Sequence, residues 1–309
     1  MSKIAFLFPG QGSQYVGMGK EFLESDKDFE TKFFSADKIL GRKLSDIILN
    51  GPIEELTLTN NAQPALYLTA ALIMDKLAKA GIKADVVAGH SLGEYTALYA
   101  AEVLSFEDGL KAVQSRGNIM AKAVPAGKGT MAAIIGLNQK QIQEELDKVQ
   151  GAVNIANINS LEQIVISGEK QSVLDAMELL TTKGASRVIE LTVSGPFHST
   201  LMQPAGLELG KELDKLTFNT PNKKFIANVT ANYASSVSEI KDLLVKQVSG
   251  SVRWVETIQK MAADGVDVFI EVGPGKVLAG LNRRINRDLK TYNVEDEKSL
   301  LKVIEELKK

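Results

Sequence analysis

Apolar and polar positions fall into blocks that read alternately as strands and helices. Lys3 to Phe8 is a short apolar run closed by Pro9-Gly10, the pattern of a buried strand running into a turn. Helical segments follow from about Met18 to residue 50. Asn61 to Lys79 is a long, mostly apolar helix with Pro64 near its start, where proline is tolerated, and Gly81 at its end. Asp85 to Ala88 reads as a second buried strand, Glu94 to Ala101 and Phe106 to Val124 as helices. Between Gly127 and Val193 the spacing changes. Strand patterns at Met131–Gly136, Val153–Asn157, Gln163–Ser167 and Arg187–Val193 are interleaved with helical ones at Gln139–Val149 and Gln171–Lys183. That β-α-β-β-α-β order is the split unit of ferredoxin-like folds. Afterwards the alternation resumes: helix Leu201–Leu216, strand Lys224–Val229, helices Ile240–Gln247 and Trp254–Asp264, strand Val268–Val272 and a helix from Val277. The tail from Val294 is a charged amphipathic helix that docks on the surface.

Strands separated by helices predict a mostly parallel sheet covered on both faces. The expected fold is therefore α/β. A catalytic core is formed by residues 1–125 and 195–309, with a ferredoxin-like α+β subdomain, 126–194, inserted between Pro125-Ala126-Gly127 and Ser194-Gly195-Pro196.

Composition narrows the function classes. The 309 residues are 44% hydrophobic and 24% charged, with a net charge of −2, which gives no general affinity for nucleic acid or an anionic membrane. There is no cysteine, so disulfides and thiolate metal sites are excluded. The first apolar run is too short for a signal peptide, and no stretch approaches the ~20 apolar residues of a membrane helix. A cytoplasmic location is expected.

The densest chemistry lies at Gly89-His90-Ser91-Leu92-Gly93-Glu94, where G-x-S-x-G joins a predicted strand to a predicted helix. This is the pattern of a nucleophile elbow. The turn leaves no room for a Cβ at the two glycine positions that flank the serine, and the hydroxyl stands at a helix N-terminus, which favours developing negative charge. Only two histidines exist, His90 and His198. Neighbours at an elbow point in different directions, so His198 is the better candidate base. The glycine-rich loop Pro9–Gln14 is placed for ligand contact but lacks the residues of a phosphate cradle. Arg116, between Gln114, Ser115 and Asn118, reads by spacing alone as part of a solvated helix face.

Six stretches in order resemble the malonyl-CoA:acyl carrier protein transacylases, from residue 3 to about 285. They are Phe8–Gln14, Gln63-Pro64-Ala65, Gly89–Glu94, Gly195-Pro196-Phe197-His198, Asn228-Val229-Thr230 and Glu271–Gly275. The resemblance implies an α/β-hydrolase-like core with a ferredoxin-like insert. It implies that Ser91 carries a malonyl ester, that His198 is its general base, and that a backbone carbonyl at Gln247 orients the histidine. It implies an oxyanion hole from the N–H groups of Gln11 and Leu92, and it gives Arg116 the malonyl carboxylate. Phe197 and His90 are placed against the substrate. Ser251 departs from the pattern, standing where many relatives carry proline. No metal or bound cofactor is implied: malonyl-CoA is the substrate, and the acceptor is the phosphopantetheine thiol of acyl carrier protein. Family members of this kind are often monomers. Carrier proteins are typically acidic, so Lys183, Arg187, Arg283, Arg284 and Arg287 are candidate docking groups. Fatty-acid synthesis is the expected pathway. A polyketide pathway, a serine esterase or thioesterase, and a non-catalytic carrier-binding protein are the alternatives.

Overall fold

The computed structural model describes residues 2–308. The chain begins with β1 (Ile4–Phe8), α1 (Lys20–Ser25), α2 (Lys27–Leu40), α3 (Leu44–Asn50), α4 (Ile53–Thr57) and α5 (Thr59–Lys79). It continues with β2 (Val86–Gly89), α6 (Gly93–Ala100) and α7 (Phe106–Lys122). Next come β3 (Gly129–Ile135), α8 (Gln139–Leu146), β4 (Val153–Ser160), β5 (Gln163–Glu169), α9 (Lys170–Thr182) and β6 (Arg187–Glu190). Then follow α10 (Gln203–Leu213), β7 (Lys224–Ala227), β8 (Asn232–Ala234), α11 (Val237–Gln247) and α12 (Trp254–Ala263). The chain closes with β9 (Val268–Val272), α13 (Val277–Ile285), β10 (Lys290–Val294) and α14 (Glu297–Leu307).

Two sheets result. The larger has the order β10-β9-β1-β2-β7-β8 and is parallel except for β8, which pairs antiparallel with β7. Strand β1 is central, and its alternation divides the core. Phe6 and Phe8 pack in one layer with Tyr67, Leu68, Tyr95 and Leu98 of α5 and α6. Ala5 and Leu7 pack in the other with Trp254, Ile258, Leu278 and Leu281 of α12 and α13. A strand buried on both faces has no polar side, which explains its continuous apolar run. The smaller sheet has the order β4-β5-β3-β6, all antiparallel, with α8 and α9 as its crossovers. This is the expected ferredoxin-like order. One of its faces buries Ala132, Ile134, Ile164 and Ile166 with Ile142, Val173 and Leu180 of its helices. Met131 and Val165, of opposite parity, join the first core layer instead and line the pocket described below.

Three details differ from the sequence expectation. Strands β8 and β10 lie at the sheet edges, where Asn232-Tyr233-Ala234 and Lys290–Val294 carry polar residues among apolar ones, so no buried run announces them. Strand β6 stops at Glu190; Leu191 keeps one bond to β3, its N–H donating to Met131 O at 2.8 Å, and Leu191, Thr192 and Val193 line the pocket. Pro64 is inside α5 rather than in its first turn. Having no N–H, it leaves the Asn60 carbonyl without its helical donor. That oxygen accepts instead from Arg42 Nη2 at 2.9 Å and Gln114 Nε2 at 3.3 Å.

Candidate active site

The elbow lies at the C-terminal end of β2. Ser91 has φ 51°, a left-handed backbone that costs a non-glycine residue roughly 1–3 kcal/mol. The glycines around it answer to close contacts. A Cβ on Gly89 would lie 1.9 Å from the Gly93 carbonyl carbon, and one on Gly93 would lie 2.0 Å from Phe8 O. Three side-chain hydrogen bonds hold the turn. Asn228 Oδ1 accepts from Ser91 N at 2.7 Å, Asn228 Nδ2 donates to Gly89 O at 2.6 Å, and Gln247 Nε2 donates to Ser91 O at 2.9 Å. Asn228 follows β7, the strand paired with β2, and it is fully buried.

His198 Nε2 is 2.8 Å from Ser91 Oγ. Its Nδ1 is 2.7 Å from Gln247 O and 3.1 Å from Gly250 O. Carbonyls only accept, so Nδ1 carries the proton and Nε2 is the free acceptor facing the serine. Burial, together with the Arg116 charge, pushes the imidazole down to about 3, so the neutral base form persists across ordinary pH. His90 is turned away: its Nε2 is 2.8 Å from Asn159 Oδ1 and its ring edge meets Trp254. Burial lowers its pKa also.

Arg116 does not lie on a solvated face. It is 1% exposed, with Nη2 donating to Ser91 Oγ at 3.0 Å and to Gln247 Oε1 at 2.8 Å. Its guanidinium stands over the Tyr95 ring at 5.7 Å. Burial lowers its pKa, opposed by Tyr95 and Glu94. Gln11 sits in the loop after β1, its Nε2 3.3 Å from Thr59 Oγ1, which lies 2.8 Å from Ser194 Oγ. Leu92 opens α6. Neither the Gln11 nor the Leu92 N–H has an acceptor among the described residues. A cavity of about 340 Å³ brings Ser91, His198, Arg116, Gln11, Leu92, Phe197 and His90 together, roofed by Met131, Asn157, Asn159 and Val165 of the smaller sheet.

Strand β4 ties the two sheets at this point. Asn159 holds the His90 ring, and Asn154 Nδ2 donates to His198 O at 2.9 Å. Val252 exchanges backbone bonds with Ala156 and Ile158 at 2.8 and 2.9 Å. Ser251 Oγ donates to Ile155 O at 2.5 Å, so the hydroxyl pins this loop in the place where a proline would stiffen it.

Two site residues escaped sequence reasoning. Asn228 stood in a recognised stretch without a role. Glu94 is the sole charged residue of α6, and it is 1% exposed. Its Oε1 accepts from Asn228 N at 3.3 Å and its Oε2 from Gln247 Nε2. Burial pushes it up to about 8, against those two hydrogen bonds and the Arg116 charge. A lone carboxyl group in an otherwise uncharged helix was the available signal.

Of the candidate docking groups, Arg187, Arg283, Arg284 and Arg287 line one cleft of about 1070 Å³ together with Lys290, between the smaller sheet and α13. Lys183 is elsewhere, paired with Glu145 at 3.1 Å and Glu144 at 3.7 Å.

Residues 5–308 match the acyl transferase domain family. The chain is similar to the malonyl CoA-acyl carrier protein transacylase of Bacillus subtilis, 48% identical over 311 residues, covering 100% of this chain and 98% of that protein. It is similar in structure to the acyl-carrier-protein S-malonyltransferase of Bartonella henselae. That match has a TM-score of 0.96 and 44% identity, covering 99% of this chain and 100% of that one. It is also similar to a malonyl-transacylase solved in complex with its type II PKS acyl carrier protein. There the TM-score is 0.96 and the identity 38%, over 99% of this chain and 100% of that one. Matched from end to end in sequence and in fold, the chain belongs to the malonyl CoA-acyl carrier protein transacylase family of acyl transferases.

Proposed function

We propose that the protein moves a malonyl group from malonyl-CoA to the phosphopantetheine thiol of an acyl carrier protein, through a malonyl ester on Ser91. One observation carries this reading: Ser91 Oγ lies 2.8 Å from a neutral imidazole nitrogen and 3.0 Å from a buried guanidinium. A base and a carboxylate-reading cation thus meet at a single nucleophile. In the first half-reaction Ser91 gives its proton to His198 Nε2 as Oγ attacks the thioester carbonyl. The oxyanion takes the unengaged N–H groups of Gln11 and Leu92. Collapse breaks the C–S bond, and coenzyme A leaves with the proton from His198. In the second half-reaction the carrier thiol gives its proton to His198, its sulfur attacks the ester carbonyl, and Oγ departs with the proton. The chemistry requires no metal or resident cofactor, and every named group comes from one chain.

Arg116 couples binding to base strength. With the pocket empty its charge helps to depress His198. A malonyl carboxylate pairing with the guanidinium neutralises that charge, so the imidazole becomes more basic as substrate arrives. Phe197, 7% exposed at the pocket wall, leaves little room for an α-methyl branch. The arginine-lined cleft suits an acidic carrier. Fatty-acid synthesis is the pathway we favour. A polyketide carrier is the second reading, because one structural relative was solved with such a carrier. Parallel transfer assays with holo-carriers of both kinds separate the two by kcat/KM. An esterase role is disfavoured by Arg116 and by the carbonyl partners of His198. The direct test is incubation with malonyl-CoA alone. A stable mass increase of one malonyl group on the Ser91 peptide, discharged by holo-carrier, is expected; rapid release of free malonate without an acyl-enzyme would defeat the reading.

A further inference from the structure

Gln247 has two ends with opposite hydrogen-bonding character. Its side-chain oxygen accepts from Arg116 Nη2 at 2.8 Å. Its side-chain nitrogen faces Ser91 O at 2.9 Å, Glu94 Oε2, and Asn228 Oδ1 at 3.4 Å. Turning the amide over would set an oxygen against three acceptors and an N–H against the guanidinium, so its polarity is locked. Among the three acceptors Glu94 alone is a carboxyl group, with a second oxygen to spare, and Asn228 Oδ1 already serves Ser91 N. Arg116 depends on this lock. Among the described residues its Nε has no partner, and its hydrogen-bond acceptors are Ser91 Oγ and Gln247 Oε1. Once Ser91 is esterified, its hydroxyl no longer serves as that anchor, and Gln247 is the one that persists.

A buried carboxylate is costly unless its hydrogen bonds repay it, and an apolar side chain would suit the rest of α6. The donor set explains why a carboxylate stands here. Two donors reach Glu94 on its two separate oxygens, Asn228 N at one and Gln247 Nε2 at the other. A carboxyl group offers an acceptor oxygen at both places, whereas glutamine of the same size offers an acceptor at only one.

We infer that Glu94 is a positioning residue for acyl selectivity: it fixes the Gln247 amide, which holds the Arg116 guanidinium where the malonyl carboxylate meets it. The inference rests on the malonyl-transfer reading above and adds the residue that sets its specificity without touching substrate.

The test measures Ser91 acylation by malonyl-CoA and by acetyl-CoA in the wild type, Glu94→Gln, Gln247→Ala and the double variant. Gln247→Ala keeps the backbone carbonyl that orients His198. Loss of aim at Arg116 is expected to lower the malonyl-to-acetyl ratio of kcat/KM by about tenfold to a hundredfold in Glu94→Gln, the scale of a displacement of about 1 Å at a reacting centre. Adding Glu94→Gln to Gln247→Ala is expected to lower the ratio no further. An unchanged ratio in folded Glu94→Gln, or additive effects in the double variant, would overturn the inference. Should Glu94→Gln fail to fold, Glu94→Asp keeps the charge and shortens the reach; it is expected to lower the ratio too, and an unchanged ratio there is equally fatal. Absence of malonyl-enzyme in the wild type would instead sink the function reading.

Discussion

The elbow and the arginine-lined cleft are both polar, yet they are built on opposite terms. At the elbow Glu94, Arg116, His198, Asn228 and Gln247 are each at most 3% exposed and bonded to one another. In the cleft Arg187, Arg283, Arg284 and Arg287 are exposed; among the described residues the one hydrogen bond from these four guanidiniums joins Arg284 Nη1 to Gln163 Oε1 at 2.6 Å. Buried groups act at fixed distance in a low dielectric, and each depends on its partner. Exposed charges act at long range and are screened by salt. We therefore propose chemistry for the first region and encounter with the carrier for the second.

Perturbing each region should reveal this contrast, with the largest effect at the elbow. His198→Ala is expected to slow Ser91 acylation by roughly 10²–10⁴-fold, measured by quenched-flow mass spectrometry. Retention of the wild-type rate would remove His198 from the mechanism. Arg116→Ala breaks a buried charge contact of roughly 2–5 kcal/mol, about 30-fold to 5000-fold on malonyl kcat/KM, while acetyl transfer gains in relative terms. Unaltered malonyl kinetics would reduce Arg116 to a packing role. In the cleft, the combined reversal of Arg283, Arg284 and Arg287 to Glu is expected to raise KM for carrier by about tenfold at low salt. That difference should shrink as ionic strength rises, which no elbow variant should show. A salt-independent effect would place these residues outside electrostatic docking.

The smallest effect concerns stability. His198 titrates at about 3 in the fold against an ordinary value of 6.5. The unfolded chain therefore binds the proton more readily. The stability that His198 contributes is complete above pH 6.5 and is lost as pH falls toward 3. Glu94 has the opposite sign: raised from 4.5 to about 8, its contribution is complete below 4.5 and is lost as pH rises through 8. Melting temperatures of His198→Gln should accordingly fall less between pH 6.5 and pH 4 than those of the wild type. Parallel curves would show that burial of His198 does not set this acid limb.

What the sequence made legible follows a physical rule. Strands β1 and β2 and helix α5 were readable because burial on every side leaves continuous apolar runs, closed by turn residues such as Pro9-Gly10 and Gly81. Gly89, Ser91 and Gly93 were readable because a tight turn constrains neighbours. The two histidines were readable by scarcity. Arg116 was misplaced by spacing, since Gln114, Ser115 and Asn118 are the neighbours expected on a wet face; only the pocket buries it. Asn228 was silent, and Glu94 showed only as a lone carboxyl group in α6, for another reason. Asn228 meets Ser91 across 137 positions, and Glu94 meets Gln247 across 153. Such polar contacts leave no local period to detect.

Strand β4 carries a consequence for how this pocket tolerates change. Its asparagines hold the backbone of one histidine and the ring of the other, while its backbone is pinned to Val252 and Ser251. The strand already contains two irregularities in its pairing with β5. Because side chains alternate along a strand, a one-residue deletion within β4 would carry Ile155 or Ile158 toward the positions where asparagine is needed. Single substitutions in the pocket wall can tune which acyl group fits. Changes in the length of this one strand would dismantle the pocket, so in a lineage or an engineered library this segment should drift in composition while keeping its residue count.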